Sequence, residues 1–504
     1  MANAARPCYE TAHILLEASV AEHHLFMTLE HALLMLLALF HVAGAVSVVK
    51  ALFSARSSQG AIAWVLSMLV FPYVAVPLYW IFGRDRFHGY VTARREGSNE
   101  IEALHRELER NLVDLSSLRP DLGGTLSVLE KLAGMPFTGG NRATLLKNGP
   151  ATFEAIFAEM ARATDYILVQ FFIIHDDEIG REFKERLSAK ARQGVRVLLL
   201  YDEIGCHALP EAYLRELRDA GVKAHAFNTT RGWRNRFQLN FRNHRKIVIT
   251  DGNTAFVGGH NVGDEYMGRS SRFGLWRDTH LRCDGPVVST VQLSFAEDWY
   301  WATHDLPDLN WQPAEREGVS GAAMPMLAIP SGPADHVETY TLAFLQLVEA
   351  ARTRLWIVSP YFVPDREVTT ALQLAALRGV DVRVMLPLKP DHKMVYLASF
   401  SYFPELSKLG IKFFRFRPGF LHQKVILVDD RLATVGTANC DNRSFRLNFE
   451  LTLAVADEGF ASQVEAMLLE DFARCTPATA ADYEDRWMGF KAAVRLARLL
   501  SPIL

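Results

Sequence analysis

Several functional classes require features that this sequence has little of. Its five cysteines, Cys8, Cys206, Cys283, Cys440 and Cys475, are odd in number and scattered, and no two form a Cys-x-x-Cys pair. That argues against a disulfide framework or a zinc ribbon and leaves ordinary thiols of a reducing compartment. No basic excess is present: the formal net charge is −3 and the pI is near 6.6. Proteins built to hold nucleic acid carry a marked surplus of Lys and Arg. No dense group of His, Cys and carboxylates has metal-ligand spacing, so no metal and no cofactor is expected. About thirty residues precede the first apolar run and carry more acid than base, which is the wrong composition for a cleaved signal peptide.

Charge itself is missing from two stretches, His31 to Val49 (nineteen residues) and Ser57 to Gly83 (twenty-seven residues). Each can cross a hydrocarbon core of ~30 Å as a helix, which predicts transmembrane helices at about 31–50 and 61–82. The second stretch carries aromatic residues toward both ends and Pro72 and Pro77 inside, as membrane helices tolerate. A helical hairpin returns the chain to its starting side. That side carries Arg6, Arg84, Arg86, Arg94 and Arg95 against Lys50 and Arg56 in the connection, so counting positive charge places the bulk of the chain in the cytoplasm. At 49%, the hydrophobic content of the 504-residue chain stands at the upper edge for a soluble protein, and some of that excess is expected to sit in a membrane.

The rest of the chain is organised around a segment that occurs twice. The first copy runs His244-Arg245-Lys246-Ile-Val-Ile-Thr-Asp251 and on through Gly258-Gly259-His260 to Asn261. The second runs His422-Gln423-Lys424-Val-Ile-Leu-Val-Asp429 and on through Gly436-Thr437-Ala438 to Asn439. In both, His to Lys is two residues, His to Asp seven and His to Asn seventeen. A single His-x-Lys is usually a surface accident; two with matched Gly and Asn downstream are not. The apolar residues between Lys and Asp read as a buried strand that delivers His and Lys together. A lysine beside a histidine suits a phosphate, offering fixed charge next to an imidazole free for covalent or proton-transfer work.

Other segments repeat as well. Ala161-Arg-Ala-Thr-Asp-Tyr-Ile-Leu-Val matches Ala351-Arg-Thr-Arg-Leu-Trp-Ile-Val-Ser, Gly194-Val-Arg-Val matches Gly379-Val-Asp-Val, and Ala220-Gly-Val-Lys matches Leu409-Gly-Ile-Lys. The offsets are 190, 185 and 189, then 178 at the histidine, so the copies differ by loop-sized insertions. Strands alternating with helices predict an α/β fold of two pseudo-twofold related halves, each a mixed sheet flanked by helices. The expected limits are 1–90 for the N-terminal membrane segment, 91–135 for a polar helical connector with Ile101, Leu104, Leu108 and Leu112 at helical spacing, 136–318 and 319–475 for the two halves, and 476–504 for an amphipathic tail. The Pro/Gly/Asp-rich stretch from about 305 to 335 reads as the linker between the halves. Similar helices close the two halves, Phe295-Ala-Glu-Asp-Trp299 and Leu468-Leu-Glu-Asp-Phe472. In the tail, Phe490 to Leu500 places apolar residues on one helical face with Lys491, Arg495 and Arg498 elsewhere, a pattern for packing on the domain or for contact with anionic headgroups.

The paired segments resemble the two HKD motifs of the phospholipase D superfamily. With the stretch Arg56 to Arg86, including Ala61-Ile-Ala-Trp64 and Leu78-Tyr-Trp-Ile-Phe-Gly-Arg84, the chain is similar to the bacterial cardiolipin synthases. Residue by residue, this resemblance implies that His244, Lys246, Asp251, His422, Lys424 and Asp429 form the catalytic motif set, with Asp251 and Asp429 expected to close a turn rather than to act on substrate. Lys246, Lys424, Asn261 and Asn439 are the expected phosphate-binding groups. Asp278 and Glu450 occupy matching places for orienting the histidines, and which serves which is open at this stage. His260 and His280 read equally as pocket lining or packing, and Tyr361, Phe362 and Asp365 as core or substrate neighbours. The implied reaction is a two-step transfer through a phosphohistidine, with phosphatidylglycerol as donor and acceptor and glycerol leaving. By family habit His244 is the nucleophile. The implied setting is the bacterial inner membrane, multi-pass, with phosphatidylglycerol and the bilayer as partners and no nucleic acid. The alternatives are a phospholipase D that gives the phosphatidyl group to water, a nucleic-acid phosphodiesterase, which the net charge disfavours, and a non-catalytic membrane scaffold.

Overall fold

The computed structural model describes residues 6–54, 58–83, 90, 98–113, 124–227, 240–312 and 324–503. The chain divides into two compact units, residues 1–85 with 237–240, and the remainder. The basic residues Arg56, Arg84, Arg86, Arg94 and Arg95 of the charge count lie outside the described residues.

In the N-terminal unit the first apolar stretch belongs to one long helix, Arg6–Ser54. Its segment Met27–Phe53 has a mean hydropathy of 2.4 and is 11% buried, which makes it long and apolar enough to cross a membrane. The second stretch differs from the expected single span and divides into Ser58–Val70 and Pro72–Phe82. Phe71 leaves the helical region (φ −131°, ψ 59°) because the ring of Pro72 crowds the residue before it. Its N–H still reaches the Ser67 carbonyl at 2.8 Å, so the chain kinks rather than reverses. Ala51, Met68, Ala75, Val76 and Tyr79 bury one another between the two stretches, and Trp80 Nε1 donates to Ser47 Oγ at 3.2 Å. Gly44 permits the approach, since a Cβ there would stand 3.0 Å from the Met68 carbonyl oxygen. Leu33, Leu34, Leu36 and Leu39 face outward.

The larger unit contains every strand of the described residues. The first half supplies β1 (Thr138–Lys147), β2 (Tyr166–Phe171), β3 (Arg196–Asp202), β4 (Lys223–Phe227), β5 (Arg242–Asn243), β6 (Ile247–Thr250), β7 (Thr254–Gly258), β8 (Leu275–Arg277) and β9 (Thr279–Asp284). The second supplies β10 (Met324–Ser331), β11 (Arg354–Val358), β12 (Phe362–Val363), β13 (Asp381–Pro387), β14 (Lys412–Phe416), β15 (Gly419–Leu421), β16 (Val425–Val428), β17 (Leu432–Gly436), β18 (Cys440–Asp441), β19 (Asn448–Val455) and β20 (Cys475–Ala478). One mixed sheet runs in the order β20-β14-β13-β11-β16-β17-β19-β10-β1-β9-β7-β6-β2-β3-β4. Read outward from the antiparallel β1–β10 pair at its centre, the two wings repeat one another: β9, β7, β6, β2, β3, β4 on one side and β19, β17, β16, β11, β13, β14 on the other. In each wing three strands are parallel and the rest antiparallel. Strands covered on both faces read as near-continuous apolar runs, and β2, β6, β7, β16, β17 and β19 are buried throughout.

β10 corrects the linker reading, because most of the stretch 305–335 after residue 323 is a central strand. Its Pro325 and Pro330 disguise it in the sequence, since proline lacks the N–H that a central strand normally uses. In the connector region, helices Ser98–Val113 and Gly124–Ala133 form, and Ile101, Leu108 and Leu112 are buried. Residues 91–97 and 114–123 of that region lie outside the description. Helix Val287–Thr303 is buried along almost its whole length, with Phe295 and Trp299 in the main core.

The motif aspartates lock the sheet at the far end of the motif strands. Asp251 (φ 51°) and Asp429 (φ 54°) both sit in the left-handed region at matching turns. The Asp251 carboxylate accepts the backbone N–H groups of Thr164, Asp165 and Tyr166 at 2.8–2.9 Å, and the Asp429 carboxylate accepts those of Arg352, Thr353 and Arg354 at 2.8–3.1 Å. These bonds hold the carboxyl of Asp429 below its ordinary range, against the opposing effect of burial. Both aspartates sit one full strand away from the histidines of their own motifs.

Candidate active site

The two halves exchange partners at their histidines. β5 pairs in parallel with the start of β19, matching Asn243 to Phe449, and the His244 N–H donates to the Phe449 carbonyl at 2.9 Å. β15 pairs in parallel with β8, matching Leu421 to Arg277, and the His422 N–H donates to the Arg277 carbonyl at 2.8 Å. Each histidine therefore stands opposite the next residue of the other half, which is a carboxylate. His244 Nδ1 lies 2.9 and 3.0 Å from the two Glu450 oxygens, and His422 Nδ1 lies 2.7 Å from Asp278 Oδ2. A carboxylate acceptor fixes the proton on Nδ1 and leaves the Nε2 lone pair for chemistry. The pairing that was open in the sequence is thus a crossed one.

Lys246 and Lys424 are buried beside them, and each ammonium donates to the carbonyl of its own motif histidine, at 2.7 and 2.5 Å. Burial and the neighbouring Lys424 hold the Lys246 pKa well below its usual value; burial brings Lys424 down to about 8 against the pull of Asp278 and Glu450. Burial also lowers His244 to about 4, with Glu450 opposing and both lysines adding to the shift. His422 is pushed well below its usual value by burial, then by Lys424, Lys246 and His244. These mutual influences place two imidazoles and two ammonium groups, one of each from either half, in one electrostatic neighbourhood. An arriving phosphodiester would relieve the repulsion among them. Among the described residues no group of three His, Cys, Asp or Glu side chains is arranged to hold a metal ion.

The asparagines are less alike. Asn261 accepts from the Ile173 N–H at 3.2 Å and donates to the Tyr266 hydroxyl at 2.9 Å, so its side chain is engaged on both sides. Asn439 has its backbone N–H on Ser444 Oγ at 2.9 Å, while its side-chain oxygen is buried without a partner among the described residues. Asp365 caps helix Arg366–Leu377 and pairs with Arg446 at 2.7 Å, Phe362 is core, and the Tyr361 hydroxyl bonds to Asp391.

Residues that the sequence left unassigned complete the second layer. The middle residue of each motif anchors to the aspartate of its half's closing helix. Arg245 pairs with Asp298 at 2.7 Å, and Gln423 donates to Asp471 at 2.9 Å. Asp298 also accepts from Tyr90, Gln170 and Asn243, and Asp471 takes Arg277 across the halves at 2.7–2.9 Å. The repeated Glu-Asp of those two helices was the available signal. His260 and His280 are fully buried, with ring centroids 5.6 Å apart, and have no hydrogen-bond partner among the described residues. Burial lowers both to about 3.

Comparison with known proteins gives the family. The family model described as "Cardiolipin synthase, PLD-like domain" matches residues 156–299 and 344–472, and "Phospholipase_D-nuclease N-terminal" matches 33–84. Cardiolipin synthase A of Pseudomonas putida KT2440 is 50% identical over 472 residues, 93% of this chain and 97% of that protein. Cardiolipin synthase A of Pseudomonas fluorescens SBW25 is 48% identical over 477 residues, covering 94% and 99%. In fold, the chain is similar to phosphatidylserine synthase of Haemophilus influenzae Rd KW20, with a TM-score of 0.57 at 16% identity over 76% of this chain and 100% of that one. Two crossed His–carboxylate pairs on a duplicated sheet, and identity that runs through nearly the whole length of these relatives, have one reading: the chain belongs to the cardiolipin synthase family of the phospholipase D superfamily.

Proposed function

We propose that this chain joins two phosphatidylglycerol molecules into cardiolipin and releases glycerol. The observation that carries the reading is the crossed pairing, in which each imidazole is fixed at Nδ1 by the other half and stands with both lysines. In the first step His244 Nε2 attacks the donor phosphorus and a P–N bond forms. The P–O bond to the glycerol headgroup breaks, and protonated His422 gives its proton to the departing alkoxide. The anionic phosphodiester, by offsetting Lys246 and Lys424, raises the His422 pKa so that the proton is present when donor is bound. In the second step His422 removes the proton from a headgroup hydroxyl of the acceptor, that oxygen attacks phosphorus, and the P–N bond breaks to restore His244. Lys246 and Lys424 balance charge on the non-bridging oxygens. Asn439 and Asn261 are the proposed amide donors to the phosphate, Asn261 acting beside the Tyr266 hydroxyl that its Nδ2 meets. Asp278 and Glu450 orient the imidazoles, and Asp251 and Asp429 hold the motif turns.

The setting proposed is a bacterial inner membrane. Arg6–Ser54 and the kinked 58–82 stretch form a two-pass hairpin, the catalytic halves span about 136–318 and 319–475, and both face the cytoplasm. Incubating purified protein with phosphatidylglycerol in detergent and analysing the products tests the reaction. Cardiolipin and glycerol in equal amounts are expected, whereas phosphatidic acid alone would assign the phosphatidyl group to water and end the synthase reading.

A further inference from the structure

The C-terminal helix Met488–Leu499 is apolar on two opposite faces, and among the described residues only one of them is covered. Val494 and Ala497 are buried, and Phe490 meets Phe400 edge-on at 5.3 Å. On the other side Met488, Ala492, Leu496 and Leu499, at i, i+4, i+8 and i+11, form an outward stripe. Met488 is 76% exposed, Leu496 64% and Leu499 75%, and the adjoining Trp487 is 75% exposed. Between the faces run Lys491, Arg495 and Arg498, and the helix has no acid of its own. Arg495 donates to the Tyr483 hydroxyl, and Arg498 donates to the Ser401 carbonyl and lies over Tyr402, so both are engaged with neutral partners rather than acids. The nearest acids in sequence, Asp482, Glu484 and Asp485, belong to the preceding turn, where Glu484 faces Lys408 at 3.7 Å.

The helix also has a place relative to the chemistry. It packs on helix Lys393–Ser399, which follows Asp391 and His392 directly. The charge of His392 is felt at His422, and that of Asp391 at Lys424. The turn after the C-terminal helix is tied to the helix that follows the second motif, since Asn442 Nδ2 donates to the Ser501 carbonyl at 3.0 Å. Met394, on the helix Lys393–Ser399, and Leu388 are also apolar and 41% and 39% exposed.

We propose that the stripe Trp487, Met488, Leu496 and Leu499 docks on a bilayer surface carrying anionic phospholipid and sets the rim of the catalytic pocket where lipid enters. An exposed tryptophan beside aliphatic side chains and a row of cations is the composition of an interfacial helix. The chain's own apolar segment Met27–Phe53 keeps such a surface within reach. The inference rests on the phospholipid reading above and adds the route by which substrate arrives.

The test uses the full chain reconstituted in phosphatidylglycerol vesicles, with the double variant Leu496→Asp, Leu499→Asp. Turnover of vesicle phosphatidylglycerol should fall about tenfold, while turnover of a short-chain phosphatidylglycerol dispersed as monomers stays within about twofold of the parent. An environment-sensitive fluorophore on Leu496→Cys should shift to the blue and be quenched by nitroxide-labelled lipid. Equal loss on both substrates, or no loss on vesicles, overturns the proposal. So does a Leu496→Cys chain that cross-links to a second copy and resists lipid quencher, which would make the stripe a dimer contact. If the parent chain makes no cardiolipin from either substrate, the reaction reading fails instead, and the fluorophore still reports on the surface.

Discussion

The two halves build the same His–carboxylate pair from different surroundings. Glu450 accepts from Thr437 Oγ1 at 2.6 Å, Ser444 Oγ at 2.8 Å and Asn448 Nδ2 at 3.1 Å in addition to His244. Asp278 accepts from the Thr279 N–H at 2.8 Å and from His422. At the position of Thr437 the other half has Gly259, where a Cβ would stand 2.0 Å from Asp278 Oδ1. At the positions of Ala438 and Thr452 it has the buried pair His260 and His280. The rings differ too: His422 is surrounded by Tyr266, Trp276 and Phe420 at 5.2–6.2 Å, while His244 has Phe172 at 5.0 Å. Duplication supplied two equivalent histidines, and what now distinguishes them lies one layer back, in how much hydrogen bonding each carboxylate has besides its imidazole.

The largest effects should come from the histidines themselves. His244→Ala and His422→Ala should each lower cardiolipin formation by about 10⁴-fold or more, as removal of a nucleophile or its proton partner does elsewhere. Rapid quenching with labelled donor then separates the two: His422→Ala should still accumulate a phosphohistidine with a good leaving group, and His244→Ala should not. Label trapped on His422 would reverse the assignment. Next come the orienting residues. Asp278→Asn and Glu450→Gln each offer the imidazole an amide that can hold the wrong tautomer, with losses in kcat of up to about 10⁴. Glu450→Gln should be the milder, because Thr437 and Ser444 hydroxyls can turn to satisfy an amide, and among the described residues no hydroxyl bonds to Asp278. Equal losses would mean that the surrounding layer does not distinguish the halves.

Stability responds to the buried aspartates. Asp471→Ala leaves Arg277 and Gln423 without their partner and joins the two halves less firmly, and Asp298→Ala strands Arg245. Breaking a buried pair by removing one partner costs about 3–5 kcal/mol, so each should lower the melting temperature in detergent by several degrees.

Much of this was legible before any coordinates. The spacing His-x-Lys with Asp and Asn at fixed offsets names the site because a strand's alternation leaves few ways to present both groups, and the repeated segments give the two-winged sheet. The crossed pairing was not legible: parallel contacts such as Asn243 with Phe449 join residues more than 200 positions apart, and nothing local specifies them. β10 was hidden by its prolines, and the 61–82 span was read as unbroken because Pro72, before which Phe71 kinks, is a residue that membrane helices tolerate. Asp298 and Asp471 stood in plain view in matched helices, but an Asp in a helix reads as solvated until its buried partners are known.

Acid should bear on one half more than the other. Burial holds His260 and His280 near a pKa of about 3, far below the ordinary value near 6.5. The folded state therefore refuses protons that the unfolded chain accepts. The stability is fully present above about pH 6.5 and is lost as pH falls toward about 3, at roughly 2 kcal/mol per histidine by pH 5. Melting curves at pH 7.5 and 5 should show the drop, and the double variant His260→Ala, His280→Thr, which copies the other half's residues, should flatten it. An unchanged slope in that variant would place the acid sensitivity elsewhere, with His244 and its value of about 4 the next group to test.

The smallest change probes the same layer from the other side. Thr437→Val keeps the shape of the side chain and removes one donor from Glu450, an exchange worth about 1 kcal/mol. With one hydrogen bond fewer, the Glu450 carboxylate becomes more basic and holds the Nδ1 proton of His244 more tightly, which raises the imidazole pKa. The limb of the pH–rate profile that requires neutral His244 should then move to higher pH by a few tenths of a unit, with kcat at the plateau down less than tenfold and KM unchanged. Ser444→Ala should act in the same direction through the other oxygen of the same carboxylate. A fall in rate with no movement of that limb would mean that Thr437 merely packs, and the difference between the halves would then rest on Asp278 and the rings around His422.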